Sequence, residues 1–303
     1  MTSPGVAGEA AIAVTRERGL PATRRFGADQ AFALGLRLAS LFVLGAVVLL
    51  ILETWSGARP ALHAYGLPFL GGTAWDPVAE KFGALPYIVG TLVTSAIALL
   101  LAVPFGVGAA VFLAEIAPPR PASVVSFMIE LLASIPSIVY GLWGVFVLAP
   151  VLRSGLEPWL IHHLGFLPLF QGFPFGLGVL PAGLVLAVMV VPTVTSVSRE
   201  ILLALPDTLR GAALALGRAL GETMAVTMLI GNSNRLSWSL LAPGATMASV
   251  IANEFTEAVG KMHLAALFEV ALVLFGVTLL VNAVARLIVR AATGGRRDVA
   301  GAA

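Results

Sequence analysis

The feature that most constrains this chain is an arginine and a glutamate set inside a run otherwise apolar enough to cross a membrane. In LRGAALALGRALGETMAVTMLIGN, residues 209–232, Arg218 and Glu222 stand four positions apart. On a helix that spacing places both on one face, one turn above the other. At the centre of a lipid-facing helix each would cost about 2.5–3.5 kcal/mol, so a bilayer protein keeps such groups where they meet a partner, a cavity or water. The pair therefore points to a functional site inside the membrane. A structural ion pair pinning two helices together is the other reading of the same residues.

The same run carries its own packing pattern. Ala213, Gly217, Gly221 and Ala225 recur every four residues and make a small-residue ladder along which a second backbone can approach closely. Leu216, Leu220, Met224 and Met228 form an apolar ridge on another face. The spacing thus predicts a helix over 211–232 whose polar pair sits beside a close-packed seam.

Composition decides the class. With 58% hydrophobic and 11% charged residues, a chain of this length lacks the polar surface of a water-soluble protein. It reads as an all-α, polytopic integral membrane protein. Six apolar segments of about 20 residues or more, at roughly 31–52, 86–113, 124–149, 176–198, 211–232 and 264–290, are each long enough to cross. Residues 1–30 and 291–303 read as tails on either side of a 31–290 membrane domain. A cleaved leader is the competing reading of the N-terminus, but the apolar run at 31–52 is longer than a leader's core and no small-residue cleavage pattern follows.

Charge gives orientation. If the N-terminus is cytoplasmic, that side holds Arg16, Arg18, Arg24, Arg25, Arg120, Arg199, Arg210, Arg290, Arg296 and Arg297. Only Arg59, Lys81, Arg153, Arg235 and Lys261 fall on the other side. Positive residues accumulate on the cytoplasmic side of membrane proteins, so both termini are expected there. The basic residues are too dispersed for a nucleic-acid face. Cysteine is absent, and with it any thiolate chemistry. His162 and His163 are adjacent in what reads as an external loop with no carboxylate cluster nearby, a spacing that does not suit a metal. Neither a metal nor a cofactor is expected. Trp55, Trp75, Trp159 and Trp238 fall in the loops between spans, where tryptophan commonly anchors a protein at the membrane–water boundary.

Prolines mark where spans are interrupted. Pro136 lies between Ser134 and Ser137 in ELLASIPSIVYGLWG, and a proline inside a span frees backbone carbonyls. The two hydroxyls can satisfy those carbonyls locally, or can offer donors to an anion. No phosphate-binding G-x-x-x-x-G-K-[ST] loop is present, and the only lysines are Lys81 and Lys261. Any energy from ATP must come through another subunit.

Four stretches carry a specific resemblance: GTLVTSAIALLLAVPFGVGAAVFLAEIAP (90–118), ELLASIPSIVYGLWGVFVLAP (130–150), GRALGETMAVTMLIGN (217–232) and ANEFTEAVGKMHLAALFEVALVLF (252–275). In this order they resemble the PstC-type permease subunit of the phosphate-specific ATP-binding-cassette importer. The resemblance implies a permease fold of the MetI-like type with about six membrane helices in a bacterial cytoplasmic membrane. It also implies a second permease subunit of the PstA type, a pair of ATPase subunits of the PstB type and a periplasmic phosphate-binding protein of the PstS type. Arg218 and Glu222 then correspond to the family's phosphate-pathway pair, with Ser134 and Ser137 as further pathway residues.

Such permeases couple to the ATPase through a loop of the form E-A-A-x3-G-x9-I-x-L-P. Here Arg210, Gly211, Ala212, Ala213 and Gly217 match its first half, with Gly211 in place of the glutamate, and no I-x-L-P follows. The chain passes directly into GRALGET, as though an ALALG tract of the loop and a similar tract of the next helix were fused with the stretch between them lost. If 211–232 is one helix it is about 33 Å long and spans the membrane, leaving a short connection around Pro206–Asp207. A transport-incompetent relative that still binds its partners is the alternative this departure raises.

Removing residues 1–28 should leave membrane insertion and orientation unchanged, because the remaining arginines still distinguish the two sides. Protease protection of the truncated chain tests this, and an altered digestion pattern would overturn the assigned topology.

Overall fold

Five helices among the described residues are long and apolar enough to cross a membrane: Gln30–Tyr65, Leu85–Ile116, Ser137–Leu164, Val179–Glu200 and Lys261–Leu287. The computed structural model describes residues 26–204 and 222–294. In chain order its main elements are α1 (Phe26–Tyr65), a two-strand hairpin of β1 (Trp75–Asp76) and β2 (Lys81–Phe82), α2 (Leu85–Val111) and α3 (Pro119–Ser134). There follow α4 (Ser137–Leu164), α5 (Val179–Ala204), α6 (Met224–Leu229), α7 (Met247–Glu254) and α8 (Lys261–Gly294). The all-α membrane architecture is the one the composition implies.

The described residues up to Leu50 form one compact unit and those from Ile51 a second. In the first, the opening part of α1 exposes its apolar side chains along its length, Phe42 at 78% and Leu41 at 62%, as a helix surrounded by lipid would.

In the second unit the central contact is between α2 and α5, which pack along their length. Gly90, Thr94, Ala98, Ala102, Gly106 and Ala110 recur every four residues of α2 and all are buried. Small side chains on one stripe let the backbones close up. A Cβ on Gly106 would come 2.7 Å from Val194 Cγ1, and one on Gly183 2.7 Å from Ile97 Cγ2. The paired positions ascend together, so the two helices run parallel. Val185, Leu186, Met189 and Val190 of α5 join Val226, Leu229 and Ile230 in one apolar core. A second core gathers Phe69, Phe82, Tyr87, Met247, Leu267 and Val270 around the start of α2.

Helix α7 is held into this second core by its N-terminus. Thr246 Oγ1 accepts from Ser249 N at 3.1 Å while Ser249 Oγ accepts from Thr246 N at 2.8 Å, a reciprocal cap that satisfies two orphan donors. Met247 N donates to Thr91 Oγ1 of α2 at 3.0 Å. Just ahead of α7 the chain crosses α2 so closely that a Cβ on Gly90 would lie 2.1 Å from the carbonyl oxygen of Ala245.

Several segment limits differ from those read along the sequence. The third span is not one helix over 124–149: α3 stops at Ser134 and α4 starts at Ser137, because Ile135 and Pro136 are extended, at φ −64°, ψ 129° and φ −57°, ψ 138°. The residue before a proline is sterically disfavoured in the helical region, so the chain opens there. Past the break, α4 continues through His162 and His163 to Leu164, so these histidines lie in its last turn rather than in a loop. His163 stacks on Trp159 with ring centres 4.7 Å apart. The 233–263 connection holds the buried start of α7. Trp75 is a half-buried hydrogen-bond donor to Glu254; Trp55, Trp159 and Trp238 are exposed.

Replacing Gly90 by alanine should lower the melting temperature of the detergent-solubilised chain, since the backbone of Ala245 leaves no room for the methyl; overpacking of this kind costs about 1–3 kcal/mol. A Cβ added at Gly108 would meet nothing within 4 Å, so Gly108→Ala should instead hold or raise stability by up to about 1 kcal/mol. Thermal unfolding of the two variants side by side measures the contrast.

Candidate functional site

Two interruptions inside the apolar segments lie next to each other in the fold. The first is the Ile135–Pro136 gap between α3 and α4. Ser134 Oγ donates to Leu131 O at 2.7 Å and Tyr140 Oη to Leu132 O at 2.8 Å. Carbonyls near the end of α3 are thus taken up by neighbouring side chains, as backbone in a span requires. Ser134 therefore makes the local bond that one of the two sequence readings assigns to it. Ser137 is half-buried and opens α4.

The second interruption precedes α6. Glu222 and Thr223 are not helical, and α6 begins only at Met224. The continuous helix expected over 211–232 is therefore broken in its described part. Glu222 stands ahead of the helix, its Oε1 reaching 3.5 Å from Ala225 N, a long contact at the position of an N-terminal cap. The helix is short at its other end too. Gly231 and Asn232 take φ of 85° and 49°, and Asn232 Nδ2 donates back to Thr227 O at 3.0 Å. Left-handed residues after a last turn stop a helix, and hydropathy does not register them. Residues 205–221 lie outside the described residues, and with them Arg210, Gly211, Ala212, Ala213, Gly217, Arg218 and Gly221.

Close packing brings the two interruptions together. A Cβ on Gly141 would lie 2.6 Å from Met228 Sδ and 3.2 Å from Ala225 Cα, and one on Gly144 2.6 Å from Leu229 Cδ1. Ala225 is fully buried, so of the expected ladder 213–225 its described member does face a close neighbour. These pairs ascend together, so α4 and α6 run parallel. One turn back from Gly141 is Ser137, and just before Ala225 are Glu222 and Thr223. The start of α6 is thus level with Gly141, one turn beyond the start of α4, and helix N-termini carry a positive potential that suits an anion. Glu222 supplies a negative charge at the same place.

A further polar group escapes the motif reading. Between α3 and α5, beside Leu113, a small cavity is lined by Ser126, Glu130, Thr195, Arg199 and Glu200 among others, and Arg199 Nε is buried without a hydrogen-bond partner. The signal in the sequence is slight: a lone SRE at the end of a span.

Comparison with known proteins places these features in a family. No family model matches the chain. Individual relatives do. Over 292 positions it is 46% identical to the phosphate transport system permease protein PstC of Xylella fastidiosa, covering 86% of this chain and 90% of that one. With the PstC of Mesorhizobium japonicum identity is 42% over 296 positions, covering 87% and 90%. The probable PstC of Methanocaldococcus jannaschii is 36% identical over 279 positions, covering 81% and 89%. Each alignment is longer than the share of the 303 residues it occupies, so roughly thirty positions of each relative have no counterpart in this chain. Identity at this level across nearly the whole length of both partners leaves one assignment: the chain belongs to the PstC family of phosphate transport permeases.

Proposed function

We propose that this chain is the permease subunit of an ATP-binding-cassette importer that passes inorganic phosphate across a bacterial cytoplasmic membrane. The observation that carries the reading is the 42–46% identity to proteins named as phosphate transport permeases over nine-tenths of their length. The chain acts as a conduit and not as an enzyme. ATP is hydrolysed by a separate pair of PstB-type subunits, a PstA-type permease completes the pathway, and a PstS-type binding protein delivers phosphate. Residues 1–30 and 291–303 are cytoplasmic tails of the 31–290 membrane domain.

In this reading the anion passes where the spans are interrupted. Arg218 offers a planar, permanently charged fork to phosphate oxygens, and the starts of α4 and α6 add N–H groups of the same polarity. Glu222 holds the guanidinium when the pathway is empty and opposes tight capture when it is full, so the anion leaves. Ser137, and Ser134 through its lone pairs and a rotatable hydroxyl, line the adjoining turn at the start of α4. Gly217, Gly221 and Ala225 keep the neighbouring backbone close.

A second reading rests on the roughly thirty positions that the relatives have and this chain lacks. If they fall at the junction of the ALALG and GRALGET tracts, the coupling loop is reduced to Arg210, Gly211, Ala212, Ala213 and Gly217. The chain would then assemble with its partners but transmit ATP hydrolysis poorly, acting as a partner or sensor subunit. Mechanical coupling needs a rigid element with two positions, and a short connection through Pro206 and Asp207 supplies none.

Two measurements on the assembled complex test these readings. Arg218→Lys keeps the charge but loses the two-pronged geometry, so phosphate uptake per complex should fall by about tenfold, the effect of roughly 1.4 kcal/mol; unchanged uptake would remove Arg218 from the pathway. ATP turnover stimulated by phosphate-loaded binding protein separates importer from coupling-defective relative. Stimulation of family-typical size supports the first. Its loss, with recovery when a family-length segment is restored between Gly217 and Arg218, establishes the second.

A further inference from the structure

Three donors from three separate stretches of chain converge on one carboxylate at the end of α7. Glu254 Oε2 accepts from Trp75 Nε1 at 2.6 Å and lies 2.8 Å from His263 Nε2, and Glu254 Oε1 accepts from Asn234 Nδ2 at 3.2 Å. Trp75 belongs to the hairpin before α2, Asn234 to the connection after α6, and His263 to the first turn of α8. His263 is nearly buried, and its ring stacks on Phe82 at 5.5 Å with the planes 14° apart. The indole can only donate, so at Oε2 nothing but an acceptor will serve.

This knot lies at the end of a short chain of bonds that leads to the interrupted span. Asn234 follows α6 by five residues, and the turn between them is tied to neighbouring stretches at Leu229, Ile230 and Ser233. Gly178 N donates to Leu229 O at 2.8 Å, Gly244 N to Ile230 O at 2.8 Å and Ser233 N to Gly244 O at 2.9 Å. Helix α6 itself has six residues, about 9 Å at 1.5 Å per residue, and is too short to bend. Whatever sets its far end therefore sets its near end, where Glu222 and Thr223 stand.

We propose that Glu254 is a positioning residue for the transport site: by gathering Trp75, His263 and Asn234 it fixes the far end of α6 and, through that rigid helix, the placement of Glu222. The inference rests on the reading of Glu222 as part of the phosphate pathway. Its chemistry predicts which substitutions are tolerated. In Glu254→Gln one carbonyl oxygen still accepts from Trp75 and His263, and the amide can donate to Asn234 once that side chain turns its oxygen inward. Glu254→Ala leaves all three donors without their acceptor. Trp75→Phe keeps the ring packing and removes one donor.

The test uses the complete importer complex, with rates expressed per assembled complex. Glu254→Ala should lower the maximal rate of phosphate uptake by about tenfold with little change in KM, since capture of phosphate is the binding protein's task. Trp75→Phe should be intermediate and Glu254→Gln near the unsubstituted rate. The chain contains no cysteine, so Thr223→Cys gives a single thiol whose maleimide-labelling rate reports the placement of this stretch independently of transport. That rate should rise severalfold when Glu254→Ala is added and stay constant with Glu254→Gln. If Glu254→Ala reduces only the yield of assembled complex, leaving uptake per complex and labelling rate unchanged, Glu254 is a stability element and the proposal fails. If the unsubstituted complex moves no phosphate, the functional reading fails instead, while the labelling comparison still decides the positioning.

Discussion

Everything else in the second unit depends on the approach of α2 to α5. Inside a bilayer apolar side chains gain nothing from leaving lipid for protein, so association rests on contact at short range and on backbone proximity. The stripe from Gly90 to Ala110 supplies that proximity over five helical turns. Its partner α5 is the most enclosed of the spans, 61% of its apolar window being buried, and it presents Val185, Met189 and Val190 to both neighbours. With that pair in place, α4 and α6 close over α5 from one side, and the turn before α7 lies across Gly90 at the other end. A bulkier residue anywhere along the stripe would push the two helices apart and disturb the 240–246 connection, which bonds to the start of α5 and lies against Gly90 of α2.

The interruptions at Pro136 and at Thr223 follow from a second rule, that backbone may leave the helix inside a membrane only where protein or water satisfies it. At Pro136 the hydroxyls of Ser134 and Tyr140 do this from within the segment. At Thr223 the carbonyl is claimed twice, by Thr227 N at 2.9 Å and by Thr227 Oγ1 at 2.6 Å. Each helix start leaves backbone donors that neighbouring protein or water has to meet.

Much of this is readable along the chain, and the misses have physical causes. Five of the six apolar runs contain or overlap a helix of membrane length, because a run of 20 apolar residues has few other stable fates. The sixth cannot be judged across residues 205–221, and beyond them hydropathy misleads. TMAVTMLI is apolar throughout, yet the helix stops at Leu229 ahead of the left-handed Gly231 and Asn232. Hydropathy likewise carries the third span straight across Pro136, although the proline itself marks the break. Helix α7 had a signature, Thr246 and Ser249 at cap spacing after Pro243–Gly244, but its burial depends on Thr91 and is invisible locally. Glu254 is the plainest case. Its three donors come from positions 75, 234 and 263, and no window along the sequence contains them.

Helix α4 contains two π-helical turns, Gly144–Leu148 and Leu152–Leu156. Each accommodates one residue more than an α-turn and so resets the helical phase beyond it by about 100°. From Gly141, which faces α6, an unbroken α-helix would carry Glu157 about 160° around the axis, toward the outside. Two resets return it to within about 40° of the same face. Glu157 is in fact fully buried, with Oε2 accepting from Gly176 N at 2.9 Å. The bulges thus do for this carboxylate what a two-residue deletion would have done, and a helical wheel drawn over 137–164 would assign to lipid the one acid of that helix that the fold keeps indoors.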